Sequence, residues 1–441
     1  VADRSTGHTV LLVYGTRPEA IKMAPVVHEL RRTRSLRPVL AVTGQHRTML
    51  DQVNNLFGLV PDYDLEILQH RQSLSGVTTR ALGGLEAVMA EVRPDAVVVQ
   101  GDTTTAFTGA LAAFYQNVPV MHLEAGLRTD DPMSPFPEEI NRRLTAQLAE
   151  LHLAPTPSAR ANLLAEGIRP ESVLVTGNTV IDALLHVAAA PPPDDPLLAE
   201  VRRLAGLDEP AEVGRRQIVL VTAHRRESWG EPLAQVGAAL ARLATERPEL
   251  LVVLPVHRNP AVREAVLPPI AGLPNVLVAD PVDYSAFTHL MAAATVIVTD
   301  SGGVQEEAPS LGKPVLVLRE NTERPEGVRA GTTRLVGTDT ERIVAAVGQL
   351  LDDPVAYAAM AEAVNPYGDG QAASRAVAAI EHRLCGTPAP DPFIPGARAI
   401  NIPLRIPHQP TYSEVIAPGT SAVLAEQTAA GASARFKEAG A

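Results

Sequence analysis

Acidic side chains in this chain stand just beyond short runs rich in valine and leucine. Residues 100–105 read Gln-Gly-Asp-Thr-Thr-Thr, residues 122–128 His-Leu-Glu-Ala-Gly-Leu-Arg, and residues 135–142 Pro-Phe-Pro-Glu-Glu-Ile-Asn-Arg. They supply Asp102, Glu124 and Glu138. Carboxylates gathered in one cleft can act as general acid and base once their pKa values are moved apart. Any one alone reads as a cap or half of a salt bridge; three in succession favour proton-transfer chemistry. A second set suits an anion. Residues 15–22, Gly-Thr-Arg-Pro-Glu-Ala-Ile-Lys, combine a glycine turn, a proline suited to a first helical turn, and the cations Arg17 and Lys22. Residues 300–307, Asp-Ser-Gly-Gly-Val-Gln-Glu-Glu, put Gly302 and Gly303 where a phosphate could approach free backbone N–H groups. Ser301 is expected to cap a helix there. Glu306 and Glu307 are expected in its first turns, where the dipole favours carboxylates and where one could grip ribose hydroxyls. His224-Arg225-Arg226 and His257-Arg258-Asn259 add groups suited to a diphosphate. There is no HExxH pair and only one cysteine, Cys385, so no metal site is expected. Residues 368–373 have GxGxxA spacing but follow no strand, so no dinucleotide cofactor is expected.

Positioning these residues requires strands that end beside one another. Apolar runs at 10–14, 38–43, 96–100, 118–123 and 173–176 form one series, and runs at 217–222, 250–254, 276–278, 295–299 and 315–318 form another. They lack polar alternation, as strands buried on both faces do. Helical patterns lie between them, such as 233–245 with Leu233, Val236, Leu240 and Leu243 on one face. The reading is α/β: two doubly wound Rossmann-like domains with a cleft between them. The expected divisions are 1–177, 178–370, a closing helix at 371–385, and an appended proline-rich tail at 386–441, with the hinge at Thr176-Gly177-Asn178. The chain has 441 residues, 46% hydrophobic and 3% aromatic, so its cores must be built from Val, Leu, Ile and Ala. A formal charge of −12 argues against nucleic acid or an acidic membrane as the main partner. No apolar run approaches a membrane span and the first residues are polar, so a soluble cytoplasmic protein is expected.

The segments at 15–25, 101–105, 122–128, 177–182, 224–227, 301–314 and 322–326 together resemble the non-hydrolysing UDP-N-acetylglucosamine 2-epimerases, a likeness running from about 10 to 384. The resemblance implies a fold similar to GT-B glycosyltransferases, an active site between the domains, a homodimer, and no cofactor. It implies that Asp102, Glu124, Glu138 and His224 are catalytic. It assigns Arg17, Lys22, His224, Ser301, Gly302, Gly303, Glu307 and Arg324 to UDP-N-acetylglucosamine. The implied reaction eliminates UDP to give 2-acetamidoglucal and adds it back to give UDP-N-acetylmannosamine. The resemblance also implies a second, activating UDP-N-acetylglucosamine site at Gln45, His46, Arg71, Gln72, Arg225 and His257. Hydrolysing epimerases, GT-B glycosyltransferases and a non-catalytic nucleotide-sugar sensor are the rival classes; the acidic trio argues against the sensor. The resemblance says nothing of residues after 386.

Overall fold

The structure, a computed structural model, describes residues 7–44, 47–69, 72–129, 131–209 and 215–396. Its strands form two sheets. The first comprises β1 (His8–Tyr14), β2 (Leu36–Val42), β3 (Tyr63–Asp64), β4 (Ala96–Gln100), β5 (Val120–Leu123), β6 (Leu151–Ala154) and β7 (Val173–Val175). The second comprises β8 (Ile218–Thr222), β9 (Leu251–Pro255), β10 (Val276–Ala279), β11 (Val296–Thr299), β12 (Val315–Val317) and β13 (Thr333–Leu335). The spatial orders are β3-β2-β1-β4-β5-β6-β7 and β10-β9-β8-β11-β12-β13. Every pairing is parallel; Leu12 of β1, for example, faces Leu40 on one side and Val98 on the other. Helices cover both faces, and this is why the central strands carry unbroken apolar runs. Val10, Leu11, Leu12 and Val13 are fully buried, each contributing about 1.5–3 kcal/mol of burial.

In each sheet the strand order reverses once, between β1 and β4 and between β8 and β11. Ligands in open parallel sheets bind beyond the strand ends at such a reversal. The loops and helix starts after these four strands carry Gly15 to Lys22, Asp102, His224 to Arg226, and Asp300 to Gly303. Three strands escape the sequence reading. β3 is two residues long, β6 has His152 inside its apolar run, and β13 is a short Thr-Arg-Leu edge.

The chain leaves β7 through Gly177, whose φ of +86° is left-handed and suits glycine. Asn178 then caps the helix Thr179–Ala189. That helix serves both cores. Val180, Ile181, Ala183 and Val187 pack with Leu12 and Met23, while Leu184 packs with Ile218 and Leu220 of the second sheet. The helix Ala372–Cys385 lies against both Thr179–Ala189 and Arg17–Leu30. Beyond it, residues expected to be a mere tail are packed. The Phe393 N–H donates to the Val175 carbonyl at 2.7 Å on the outer edge of β7. Phe393 is 4% exposed and lies beneath the Arg375 guanidinium, 5.4 Å from the ring centre. Among the described residues no single helix is long and apolar enough to cross a membrane.

Candidate active site

The first sheet supplies a turn that only glycine allows. A Cβ on Gly15 would overlap the hydroxyls of Thr43 and Thr105, which bond each other at 2.9 Å. Glu19, on the helix Arg17–Leu30, holds this turn. Its carboxylate accepts the N–H groups of Gly15 and Thr16 at 3.0 and 2.8 Å and the Thr103 hydroxyl at 2.6 Å. Burial nevertheless pushes its pKa up to about 6 against those donors. Lys22 lies further along the same helix and donates to Glu124.

Glu124 follows β5 with φ +58°, a left-handed conformation costly for a residue other than glycine. Its carboxylate accepts from Lys22, from Gln100 and, at 3.0 Å, from Asn178. Burial works to raise its pKa, but the Lys22 charge, these hydrogen bonds and Arg324 outweigh burial and hold it below the usual range. Asp102 is one-quarter exposed, and Arg142 donates to its Oδ2 through Nε at 3.1 Å and through Nη2. Burial, with help from Glu124, raises the Asp102 pKa against the Arg142 charge. Asn141 also donates to the Asp102 carbonyl at 3.0 Å, docking the helix Glu138–Leu148 on this loop. Glu138 opens that helix, half-buried and with no hydrogen-bond or ionic partner among the described residues.

The second sheet supplies cations and donors. Asp300, fully buried after β11, accepts the N–H groups of His224 and Arg225 at 2.6 and 2.8 Å. Its other oxygen lies 2.9 Å from His224 Nδ1. Burial would raise the Asp300 pKa, but His224 and the backbone donors hold it low, so the carboxylate stays charged and orients the imidazole. His224 is 40% exposed and stacks on His257 with ring centres 5.8 Å apart. Arg225 reaches Glu323 at 3.1 Å. A Cβ on Gly302 would overlap the Arg324 guanidinium, which donates to Glu306 at 2.7 Å. Glu306 also accepts from Asn178 at 3.0 Å. Glu307 takes the Tyr284 hydroxyl at 2.8 Å. Burial pushes its pKa up to about 7; Tyr284 opposes, Glu306 adds to the rise, and Lys22 and Arg17 oppose. Lys22 and Glu124 from the first sheet thus meet Glu306 and Arg324 from the second. The His224–Asp300 pair, which can exchange a proton, stands beyond the strand ends of the second sheet.

Two expectations fail. Ser301 makes no side-chain cap bond; its own N–H instead donates to Thr299 Oγ1 at 2.9 Å. The helix Gly302–Glu307 has only six residues, so Glu306 and Glu307 close it rather than open it. They are buried, and side-chain partners instead of a dipole stabilise them. Gly303 is half-buried at the helix start, and Arg17 is half-buried beyond β1. Of the expected activator set, Arg225 and His257 lie beside His224. Gln72 stands before the helix Leu74–Val92, and its side chain accepts from Arg80 at 2.8 Å. Gln45, His46 and Arg71 lie outside the described residues. The sequence reading gave no role to Gln100, Arg142 or Asp300, although each falls within a run it singled out, and it gave Asn178 only a place in the hinge and Glu306 no ionic partner. Tyr284 carried no signal, because its tie to Glu307 spans 23 positions. Among the described residues, no three His, Cys, Asp or Glu are grouped to hold a metal ion.

Comparison with known proteins agrees with this geometry. A family model described as UDP-N-acetylglucosamine 2-epimerase matches residues 28–381. The UDP-N-acetylglucosamine 2-epimerase of Escherichia coli (strain K12) is 52% identical over 373 residues, covering 85% of this chain and 98% of its own. A crystal structure from Listeria monocytogenes is 43% identical with TM-score 0.81, covering 88% of this chain and 100% of that one. The UDP-GlcNAc 2-epimerase from Neisseria meningitidis bound to UDP-GlcNAc is 45% identical with TM-score 0.74, covering 86% of this chain and 100% of that one. A chain with these two parallel sheets and this likeness along most of its length belongs to the UDP-N-acetylglucosamine 2-epimerase family.

Proposed function

We propose that the protein interconverts UDP-N-acetylglucosamine and UDP-N-acetylmannosamine by eliminating UDP and adding it back, without hydrolysis and without a redox cofactor. The observation that supports this reading best is the meeting of Lys22 and Glu124 from the first sheet with Glu306 and Arg324 from the second, with Asp102 on the loop after β4 and the Asp300–His224 pair on the loops after β11 and β8. The proton on C2 has no neighbouring carbonyl and is a very weak acid. Breaking the C1–O bond first, with its electron pair passing to the diphosphate, builds positive charge at C1 and acidifies C2–H. A carboxylate takes that proton, and the C–H electron pair becomes the C1–C2 double bond of 2-acetamidoglucal. Return of a proton to the opposite face, with attack of the diphosphate oxygen on C1, gives the epimer.

Each group has a task in this scheme. His224, oriented by Asp300, and Arg17 stabilise the leaving diphosphate, helped by the N–H groups at Ser301, Gly302 and Gly303. Glu307 and Arg324 hold the nucleoside side. Glu124, kept charged beside Lys22, faces the positive charge at C1. Asp102, its pKa raised, and the unpartnered Glu138 exchange the C2 proton. The cleft between the sheets is the active site. Arg225 and His257, beside His224, support a second UDP-N-acetylglucosamine site that favours the closed cleft. In that case the reverse reaction, slow at first, accelerates with a trace of UDP-N-acetylglucosamine.

The test is turnover in heavy water with no added nucleotide cofactor. Both epimers should acquire deuterium at C2. Product free of deuterium would sink the elimination route, and free N-acetylmannosamine with UDP would mark a hydrolysing enzyme instead.

A further inference from the structure

Four buried or nearly buried charges meet where the two sheets approach. Lys22 and Glu124 come from the first side, Glu306 and Arg324 from the second, and each couple is an ion pair. The four charges cancel. Between the couples stands Asn178, 3% exposed, on the chain crossing from one sheet to the other. Its Nδ2 lies 3.0 Å from Glu124 Oε1 and 3.0 Å from Glu306 Oε2, so its two amide hydrogens serve carboxylates of opposite sides. Its Oδ1 accepts the Val180 N–H at 3.1 Å, and its own N–H donates to the Tyr367 carbonyl at 2.7 Å.

Capping alone does not account for this residue. Serine, threonine or aspartate at a helix N-cap would satisfy the Val180 N–H equally well. Asparagine alone among the good caps adds two hydrogen-bond donors. Here both donors are spent on carboxylates that would otherwise confront each other as like charges. Without the amide, Glu124 would keep Lys22 and Gln100 but lose the donor that ties it to Glu306.

We infer that Asn178 is a positioning residue for Glu124: it fixes the direction of that carboxylate and ties it to Glu306, so Glu124 is aligned only while the second sheet is in register with the first. The inference rests on the proposed reaction for its kinetic readout. The charged and titratable groups around Glu124 are Lys22 on the helix Arg17–Leu30, Asp102 after β4, His122 on β5, and Glu306 and Arg324 from the second side. Removing a donor from the charged form of Glu124 raises its pKa.

Two variants keep the cap and discard the tie. Asn178→Ser retains a capping oxygen. Asn178→Asp retains shape and cap but turns the donors into acceptors. Asn178→Ser should melt moderately below the wild type, and Asn178→Asp lower still because it sets a third carboxylate beside Glu124 and Glu306, with both folded at the assay temperature. Both should lose about 10- to 100-fold in kcat, as for a lost hydrogen bond to a charged group, with KM changed by less than about threefold. The acidic limb of the kcat profile should move to higher pH, further for aspartate than for serine. A double-mutant cycle in thermal unfolding, Asn178→Ser with Glu124→Gln, reads the same contact without substrate, and the double variant should lose less than the sum of the single losses. A kcat within about twofold of wild type, or a reduced kcat with an unmoved acidic limb, would overturn the inference; so would an additive cycle. If the wild-type protein takes up no deuterium at C2, the proposed reaction fails, and the unfolding cycle still decides on Asn178.

Discussion

Three carboxylates near the junction meet the cost of burial in three ways. Glu19 has three donors around it, Glu124 has an ammonium and two amides, and Glu307 has one phenol and a like-charged neighbour in Glu306. Glu307 is therefore the one whose ionisation opposes folding most plainly. Its pKa rises from 4.5 to about 7, so between those values the folded chain holds a proton that the unfolded chain has released. Its contribution to stability is complete below about pH 4.5 and is lost as pH rises through about 7. Glu307→Gln makes the neutral form permanent. In thermal melts from pH 5 to pH 8, the variant should gain on the wild type as pH rises, by up to about 3 kcal/mol. A difference between the two that stays flat with pH would contradict this account. The placement of single residues was largely legible in the sequence: Asp102, Glu124 and His224 all stand just beyond strand ends. What pairs with them was not. Tyr284 meets Glu307, and Asn178 meets Glu306, across gaps in sequence that no local pattern encodes.

Among the elements, long central strands announced themselves by unbroken apolar runs, while β3, β6 and β13 were too short or too polar to do so. The helix Gly302–Glu307 illustrates a further limit. Its sequence looks like a helix start, and only the packed structure reveals that it ends after six residues. Residues after Cys385 show the opposite error, since high proline content there looks like loose chain. Proline lacks an N–H and fits a sheet edge, where one ladder side is unused. Pro388, Pro390, Pro392 and Pro395 flank the Phe393 N–H, which bonds the outer edge of β7. Arg375, which stacks on Phe393, also donates to the Thr176 carbonyl at 3.2 Å, at the exit of the first sheet. A chain ending at residue 396 keeps this contact and serves as the reference. Removal of 386–441, or Phe393→Ala alone, should destabilise by about 3 kcal/mol, as for a buried aromatic lost from a core. Equal melting of the two truncations would show that the edge contact contributes nothing.

At the scale of the molecule, six exposed apolar side chains lie between residues 114 and 144. Phe114, Tyr115, Met133 and Phe136 are each more than half exposed, and Ile140 and Leu144 about two-fifths. The helices Thr104–Tyr115 and Glu138–Leu148, which carry four of these six, pack against each other. Such a surface fits a second copy of this chain. Light scattering behind size exclusion should give near twice the chain mass, and Phe114→Asp with Tyr115→Asp should halve it; a wild-type monomer would remove this assignment. The chain has a single tryptophan, Trp229. Its indole N–H points to the His224 carbonyl at 3.4 Å, and the Arg226 guanidinium lies over its ring, 5.9 Å from the centre. Excited beyond the tyrosine band, this protein therefore emits from one indole, tied to the loop after β8 by a hydrogen bond and a stacked cation. Arrival of UDP at His224 should change that emission within the mixing time of a stopped-flow instrument, so binding can be timed apart from chemistry with no label attached.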